Sequence, residues 1–114
     1  MSASLLVIAG EVSGDMHAGP AVLALRSRLP DLTLFGIGGD EMEAAGVELI
    51  VHAREMAVFG MFAALRRYWF FRKVFRQVRE AVAIRQPVAA LLVDYGGFNL
   101  RLAKVLRADG VKVI

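Results

Sequence analysis

The 114 residues fit one domain, long enough for a hydrophobic core by ordinary surface-to-volume scaling. Composition is 57% hydrophobic with mean hydropathy +0.54, yet the strongly apolar charge-free stretch Met56 to Leu65 is too short for a membrane span of about 20 residues. The absence of cysteine excludes disulfides and thiolate metal sites, and the formal net charge of +3 is too small to set function by itself.

Apolar runs and helical patterns alternate from the start, which predicts an α/β domain with a Rossmann-like parallel sheet covered by helices on both faces. The predicted elements, in order, are strand Ser4 to Ala9, helix Met16 to Leu29, strand Thr33 to Ile37, short helix Asp40 to Ala45 and short strand Glu48 to Val51. A long helix from about Gly60 to Arg85 follows, then strand Val88 to Val93, helix Phe98 to Ala108 and strand Val111 to Ile114. Pro30-Asp31, Gly46, Pro87 and Gly110 supply the stops, and Pro87 pushes Gln86 out of helical geometry. Leu5 to Ala9 and Val88 to Val93 are continuously apolar, as strands buried on both faces must be. The last run reads as a strand entering the sheet with nothing after it, so the chain is expected to be the N-terminal part of a longer one.

Three loops follow carboxyl ends of predicted strands and should share one rim: Gly10-Glu11-Val12-Ser13-Gly14-Asp15, Gly36-Ile37-Gly38-Gly39-Asp40 and Asp94-Tyr95-Gly96-Gly97-Phe98-Asn99. The first lacks the Lys-Ser/Thr that a Walker A loop needs after its last glycine, and no dinucleotide fingerprint follows the first strand. Its paired carboxylates Glu11 and Asp15 suit hydroxyls or a sugar, although Asp15 capping the following helix accounts for the same pattern. Asp94 directly follows five apolar residues, and partial desolvation there would suit a carboxylate to take a proton from a hydroxyl; an N-cap or structural carboxylate is the rival reading. Asn99 either orients a substrate hydroxyl or caps its helix. The histidines His17 and His52 lack ligand spacing, so no metal site is expected.

In the long helix, Ala64, Tyr68, Phe71, Phe75, Val78 and Val82 form a stripe expected to pack on the sheet. Phe62, Leu65, Trp69 and Phe70 lie beside it among Arg66, Arg67, Arg72, Lys73, Arg76 and Arg79, which are six of the 14 basic residues. A solvated basic face explains most of the helix; for its first half, bulky aromatics beside arginines fit docking to an anionic membrane surface better. No base-stacking or groove-reading element accompanies the patch, so nucleic acid is not an expected partner.

Gly10-Glu11-Val12-Ser13-Gly14-Asp15, Gly36-Ile37-Gly38-Gly39 with Met42 and Gly46, Met56-Ala57-Val58-Phe59-Gly60, and Asp94 with Phe98-Asn99 together resemble the N-terminal domain of the lipid-A-disaccharide synthase family. The resemblance runs from the first strand to Ile114 and implies the N-terminal half of a GT-B glycosyltransferase. It implies an inverting hexosyl transfer from UDP-2,3-diacylglucosamine to 2,3-diacylglucosamine 1-phosphate (lipid X), giving the β-1,6 lipid A disaccharide and UDP without a cofactor. Asp94 matches the base position, and Glu11 the acidic residue of the first turn. Ser13, Gly14, Asp15, Gly38, Gly39 and Asn99 are the further substrate-binding candidates. Phe62, Leu65, Arg66, Arg67, Trp69 and Phe70 match a membrane-facing patch, which places the protein on the cytoplasmic side of the inner membrane. The resemblance further implies a C-terminal domain that holds the UDP-sugar, without which residues 1–114 would not catalyse transfer. The alternative is a non-catalytic lipid- or membrane-binding domain, or a truncated relic. Two departures stand out: Ala63 where the family carries glutamate, and Gly96-Gly97 where it carries proline and aspartate.

Overall fold

A computed structural model describes residues 3–93 and 96–114. Four strands form a parallel sheet: β1 (Ser4–Ala9), β2 (Thr33–Gly38), β3 (Glu48–His52) and β4 (Ala89–Val93), in the order β3-β2-β1-β4. The helices are α1 (Val12–Arg28), α2 (Asp40–Ala44), α3 (Ala53–Gly60), α4 (Ala64–Arg85) and α5 (Gly96–Ala108). The predicted last strand is reduced to one parallel bridge, Val113 to Ala90, on the outer side of β4.

Strand alternation divides the core in two. Leu6 and Ile8 of β1 join Phe35, Ile37, Met56, Val74, Val78, Leu102 and Leu106, so α3, α4 and α5 cover one face. Leu5, Val7 and Ala9 join Ala18, Val22, Leu34, Met42 and Val47, so α1 and α2 cover the other. Residues of opposite parity in one strand therefore both end in apolar surroundings, which is why the run shows no polar alternation. The chain leaves β1 toward β2 by way of α1 and returns across β1 to β4 by way of α4. The order reverses between β1 and β4, where an open α/β sheet leaves a crevice.

Helix ends follow the breakers. Val47 N–H donates to Met42 O and Gly46 N–H to Glu43 O, and the same pair recurs at Val111 to Leu106 and Gly110 to Arg107, each with a glycine at positive φ. Gln86 takes φ 47° before Pro87, ending α4 as expected. At that end Arg85 pairs with Glu48 and lies 4.3 Å over the Phe35 ring, while Ser4 Oγ donates to Arg85 O.

Two expectations change. The first-strand loop is shorter than predicted: α1 starts at Val12, four residues before Met16, with Asp15 N–H donating to Glu11 O at 3.0 Å. The helix starts close against the strand ends: a Cβ on Gly14 would stand in ordinary van der Waals contact with Ala9 Cβ at 3.4 Å and Val93 Cγ1 at 3.6 Å. The helix expected from Gly60 is also preceded by a separate helix, α3, whose N-cap is His52, Nδ1 accepting from Arg54 N–H at 2.9 Å.

The tightest backbone approach is between β1 and β2. Gly36 stands opposite Val7, and a Cβ on it would lie 1.8 Å from Val7 O. Gly36→Ala must spread the two central strands, and urea denaturation should show a loss of about 2 kcal/mol or more relative to wild type.

Candidate functional site

The parallel sheet puts the carboxyl ends of β1, β2, β3 and β4 on one rim. Helix α4 runs back from that rim to the start of β4, so its N-terminal turns also stand there. At about 1.5 Å per residue its 22 residues span about 33 Å, longer than the five- or six-residue strands it crosses. Only its later part packs on the sheet: Val74, Val78 and Val82 are buried, whereas Tyr68 is 53% exposed. The predicted stripe therefore packs on the core from Phe71 and Phe75 onward, with Phe70 beside them, whereas its first members Ala64 and Tyr68 are exposed.

Those first turns, with α5, form a groove of about 940 Å³ beside the point where strand order reverses. Tyr68, Phe71 and Phe75 of α4 meet Phe98 and Val105 of α5 as its apolar lining. Phe98 lies 5.8 Å from Phe71 and 5.1 Å from Phe75, centroid to centroid. Arg67 and Arg72 from α4, Arg101 from α5 and Glu11 from the end of β1 supply the charges. Gly97, also in the lining, has open space where a Cβ would be. Arg101 and Val105 belong to no motif; the one signal for them in the sequence is that Phe98, Arg101 and Val105 share a helical face by spacing.

The predicted site residues separate into distinct roles. Glu11 is the extended N-cap of α1 and Ser13 sits in its first turn, both exposed at the rim. The Glu11 side chain makes no cap hydrogen bond, and the first-turn N–H groups have no intrahelical acceptors. Asp15, in contrast, is only 4% exposed and points away from the opening. Its Oδ1 accepts from Gly39 N–H at 2.8 Å and Met42 N–H at 2.9 Å, and its Oδ2 from Glu41 N–H at 3.0 Å. It caps α2, not its own helix, and positions the second glycine loop; it presents no free acceptor comparable to Glu11. Gly39 is required for that approach, since a Cβ there would lie 2.7 Å from Asp15 Oδ2, and Gly38 makes room for Met42. Asn99 is 8% exposed; its Nδ2 donates to Val93 O at 3.2 Å, and its Oδ1 is buried without a partner among the described residues. A buried acceptor in that state is unsatisfied unless a donor arrives. Asp94, with Tyr95, lies outside the described residues.

The lipid-facing candidates divide too. Phe62 and Phe70 turn inward onto Phe59, at 4.8 Å and 4.2 Å, the second pair stacked at 5°. Leu65 at 70% and Trp69 at 56% remain exposed, joined by Met61 at 88%, with Arg66 and Arg67 alongside. Among the described residues no helix is long and apolar enough to cross a membrane.

One cluster on the same rim had no sequence signature. His52, ending β3, places Nε2 2.9 Å from Asp40 Oδ1, and Arg54 Nη2 lies 3.4 Å from the same oxygen. Since Nδ1 accepts a backbone N–H, the neutral ring carries its proton on Nε2 and donates it to Asp40. That hydrogen bond, aided by Arg54, holds the Asp40 carboxyl below its ordinary value of 3.8.

Comparison with known proteins gives a consistent result. Residues 5–114 match the family model described as Lipid-A-disaccharide synthetase. The chain is similar to the lipid-A-disaccharide synthase of Myxococcus xanthus, 51% identical over 96% of the chain and 28% of that protein. It is 39% identical to that of Geobacter sulfurreducens and 40% identical to lipid-A-disaccharide synthase 1 of Legionella pneumophila strain Philadelphia 1, in each case over 96% of the chain and 29% of the relative. The chain thus spans well under a third of the length of these relatives.

Two outcomes follow from the geometry. Asp15→Ala leaves three inward N–H groups without their acceptor and should cost roughly 3 kcal/mol or more in chemical denaturation, with Asp15→Asn intermediate. The lowered carboxyl of Asp40 stabilises the fold above its unfolded-state value, and that contribution disappears as pH falls through and below 3.8. Asp40→Asn should accordingly flatten the acid limb of a stability-versus-pH curve in that window and leave its neutral and alkaline shape unchanged.

Proposed function

Because the chain belongs to the lipid-A-disaccharide synthase family, we propose that it forms the acceptor-side half of a two-domain GT-B glycosyltransferase. The reaction is transfer of 2,3-diacylglucosamine from its UDP derivative to 2,3-diacylglucosamine 1-phosphate, with formation of a β-1,6 bond and release of UDP. The observation that carries this reading is the groove at the strand-order reversal, where Glu11, guanidinium groups and an aromatic floor meet. An acylated sugar needs both an apolar bed and polar groups that fix its orientation.

In this reading Asp94 takes the proton of the acceptor hydroxyl as that oxygen attacks the anomeric carbon from the face opposite UDP. The sugar–phosphate C–O bond breaks and the electron pair leaves with UDP, so the configuration inverts. Glu11 accepts from a sugar hydroxyl, and Asn99 Oδ1, which has no partner among the described residues, accepts from another, satisfying a buried group. The N–H groups opening α1 add a positive end at the same rim. The UDP-sugar itself is held by a C-terminal domain. Met61, Leu65 and Trp69, flanked by Arg66 and Arg67, dock the rim on the cytoplasmic surface of the inner membrane, where both acylated substrates reside.

The test is a transfer assay on the full-length protein with both acylated sugars. Wild type should release UDP and form the disaccharide, and Asp94→Ala should lower turnover by about 10² to 10⁴. Unchanged turnover would remove Asp94 from the chemistry, and lipid binding without any UDP release would favour a non-catalytic lipid-binding module. A Leu65→Ser/Trp69→Ser double variant should sediment with anionic vesicles at least about tenfold more weakly, since each side chain forfeits a burial term of about 1.5–3 kcal/mol.

A further inference from the structure

Charge is distributed unevenly between the two large grooves that flank α4. In the groove toward the end of the chain Arg76 and Arg79 are answered from within, while Arg72, which lines both grooves, has no carboxylate partner among the described residues. Arg79 grips both Asp109 oxygens, at 3.0 and 3.1 Å, and Arg76 stands 3.9 Å from Glu80. The groove between α4 and α5 differs: Arg67, Arg72 and Arg101 face Glu11 as the one acidic lining group among the described residues. None of these three arginines has a carboxylate within ion-pair distance among the described residues.

Two of the three are nonetheless held in place. Arg67 Nη1 donates to Gly60 O at 3.4 Å, while Arg72 Nη1 donates to the Tyr68 hydroxyl at 3.3 Å and its guanidinium lies 5.6 Å from the Trp69 ring centre. Those neutral contacts restrain the side chains and leave their charges without a carboxylate partner among the described residues. Beneath them Phe71, Phe75 and Phe98 supply a hydrocarbon surface. Three forked cations exceed what one planar carboxylate accepts, whereas a phosphate monoester offers three oxygens and a charge near −2. The aromatic bed requires that phosphate to be attached to an apolar body.

We propose that Arg67, Arg72 and Arg101 form an anion subsite for the phosphate of an acylated phosphate ester, whose hydrocarbon lies on Phe71, Phe75 and Phe98. The inference rests on the transferase reading only for its place in catalysis, as the element that selects a phosphorylated acceptor. Arg101 is the residue to change, because it is exposed on α5 and makes no ion pair among the described residues.

The full-length protein is titrated calorimetrically with dodecyl phosphate and, separately, dodecyl β-glucoside, both below micelle formation. Wild type should prefer the phosphate at least about tenfold, and Arg101→Gln should erase most of that preference without altering glucoside binding, a loss matching one charged hydrogen-bond pair. Arg101→Lys should recover part of it, and Phe98→Leu should weaken both probes together. Equal binding of the two probes by wild type, or an unchanged preference in Arg101→Gln, would overturn the subsite. Vesicles separate the remaining source of phosphate: Arg101→Gln should sediment with phosphatidylglycerol vesicles as wild type does. A fall there without loss of dodecyl phosphate binding would assign Arg101 to the bilayer surface and overturn the proposal. In the transfer assay, Arg101→Gln should raise KM for the phosphorylated acceptor and leave KM for the UDP-sugar unchanged. If wild type releases no UDP, the transferase reading fails while the calorimetric result still decides the subsite.

Discussion

Everything at the rim depends on one buried carboxylate. Asp15 reaches from the first turn of α1 to three backbone N–H groups of the β2–α2 corner, across 24 to 27 residues of sequence. Such groups are costly to leave unpaired in the interior, and a charged acceptor binds them more strongly than a neutral one. The bonds therefore fix how far the second glycine loop stands from the first, and with it the outline of the opening. Gly39 enforces the same distance from the other partner, having no side chain to hold the carboxylate off.

Topology does the rest of the positioning. A parallel sheet whose order reverses beside β1 leaves a gap there, and the long return helix α4 brings its opening turns to the edge of that gap. The sheet buries only what it can cover. The excess length of α4 projects past the strands, where the same helix that supplies Val74 and Val78 to the core presents arginines and aromatics to a groove.

The sheet, its two-faced burial and most helix ends were legible in the sequence because they follow from local rules: unbroken apolar runs, Gly46 and Gly110 past helix ends, Pro87 after Gln86. What stayed hidden was long-range. The acid pair Glu11 and Asp15 looks symmetrical in a string of letters, yet the backbone sends one outward and the other to cap a helix that begins at Asp40. Nothing local distinguishes them. The short helix α3 was masked by its motif-like apolar run, although His52 stands at its cap position. Arg101 gained its place only when α5 was set against α4, an arrangement that neither segment encodes alone.

The rings in this domain are not scattered. Phe62 touches Phe59, Phe59 stacks on Phe70, Phe70 meets Phe71, and Phe71 and Phe75 both meet Phe98, so a relay of contacts runs from the α3–α4 turn into α5. Neighbours that share packing do not vary independently. Epistasis is therefore built into the region: a ring replaced near the turn alters the tolerance for replacements on α5, and sequence drift at one end constrains drift at the other.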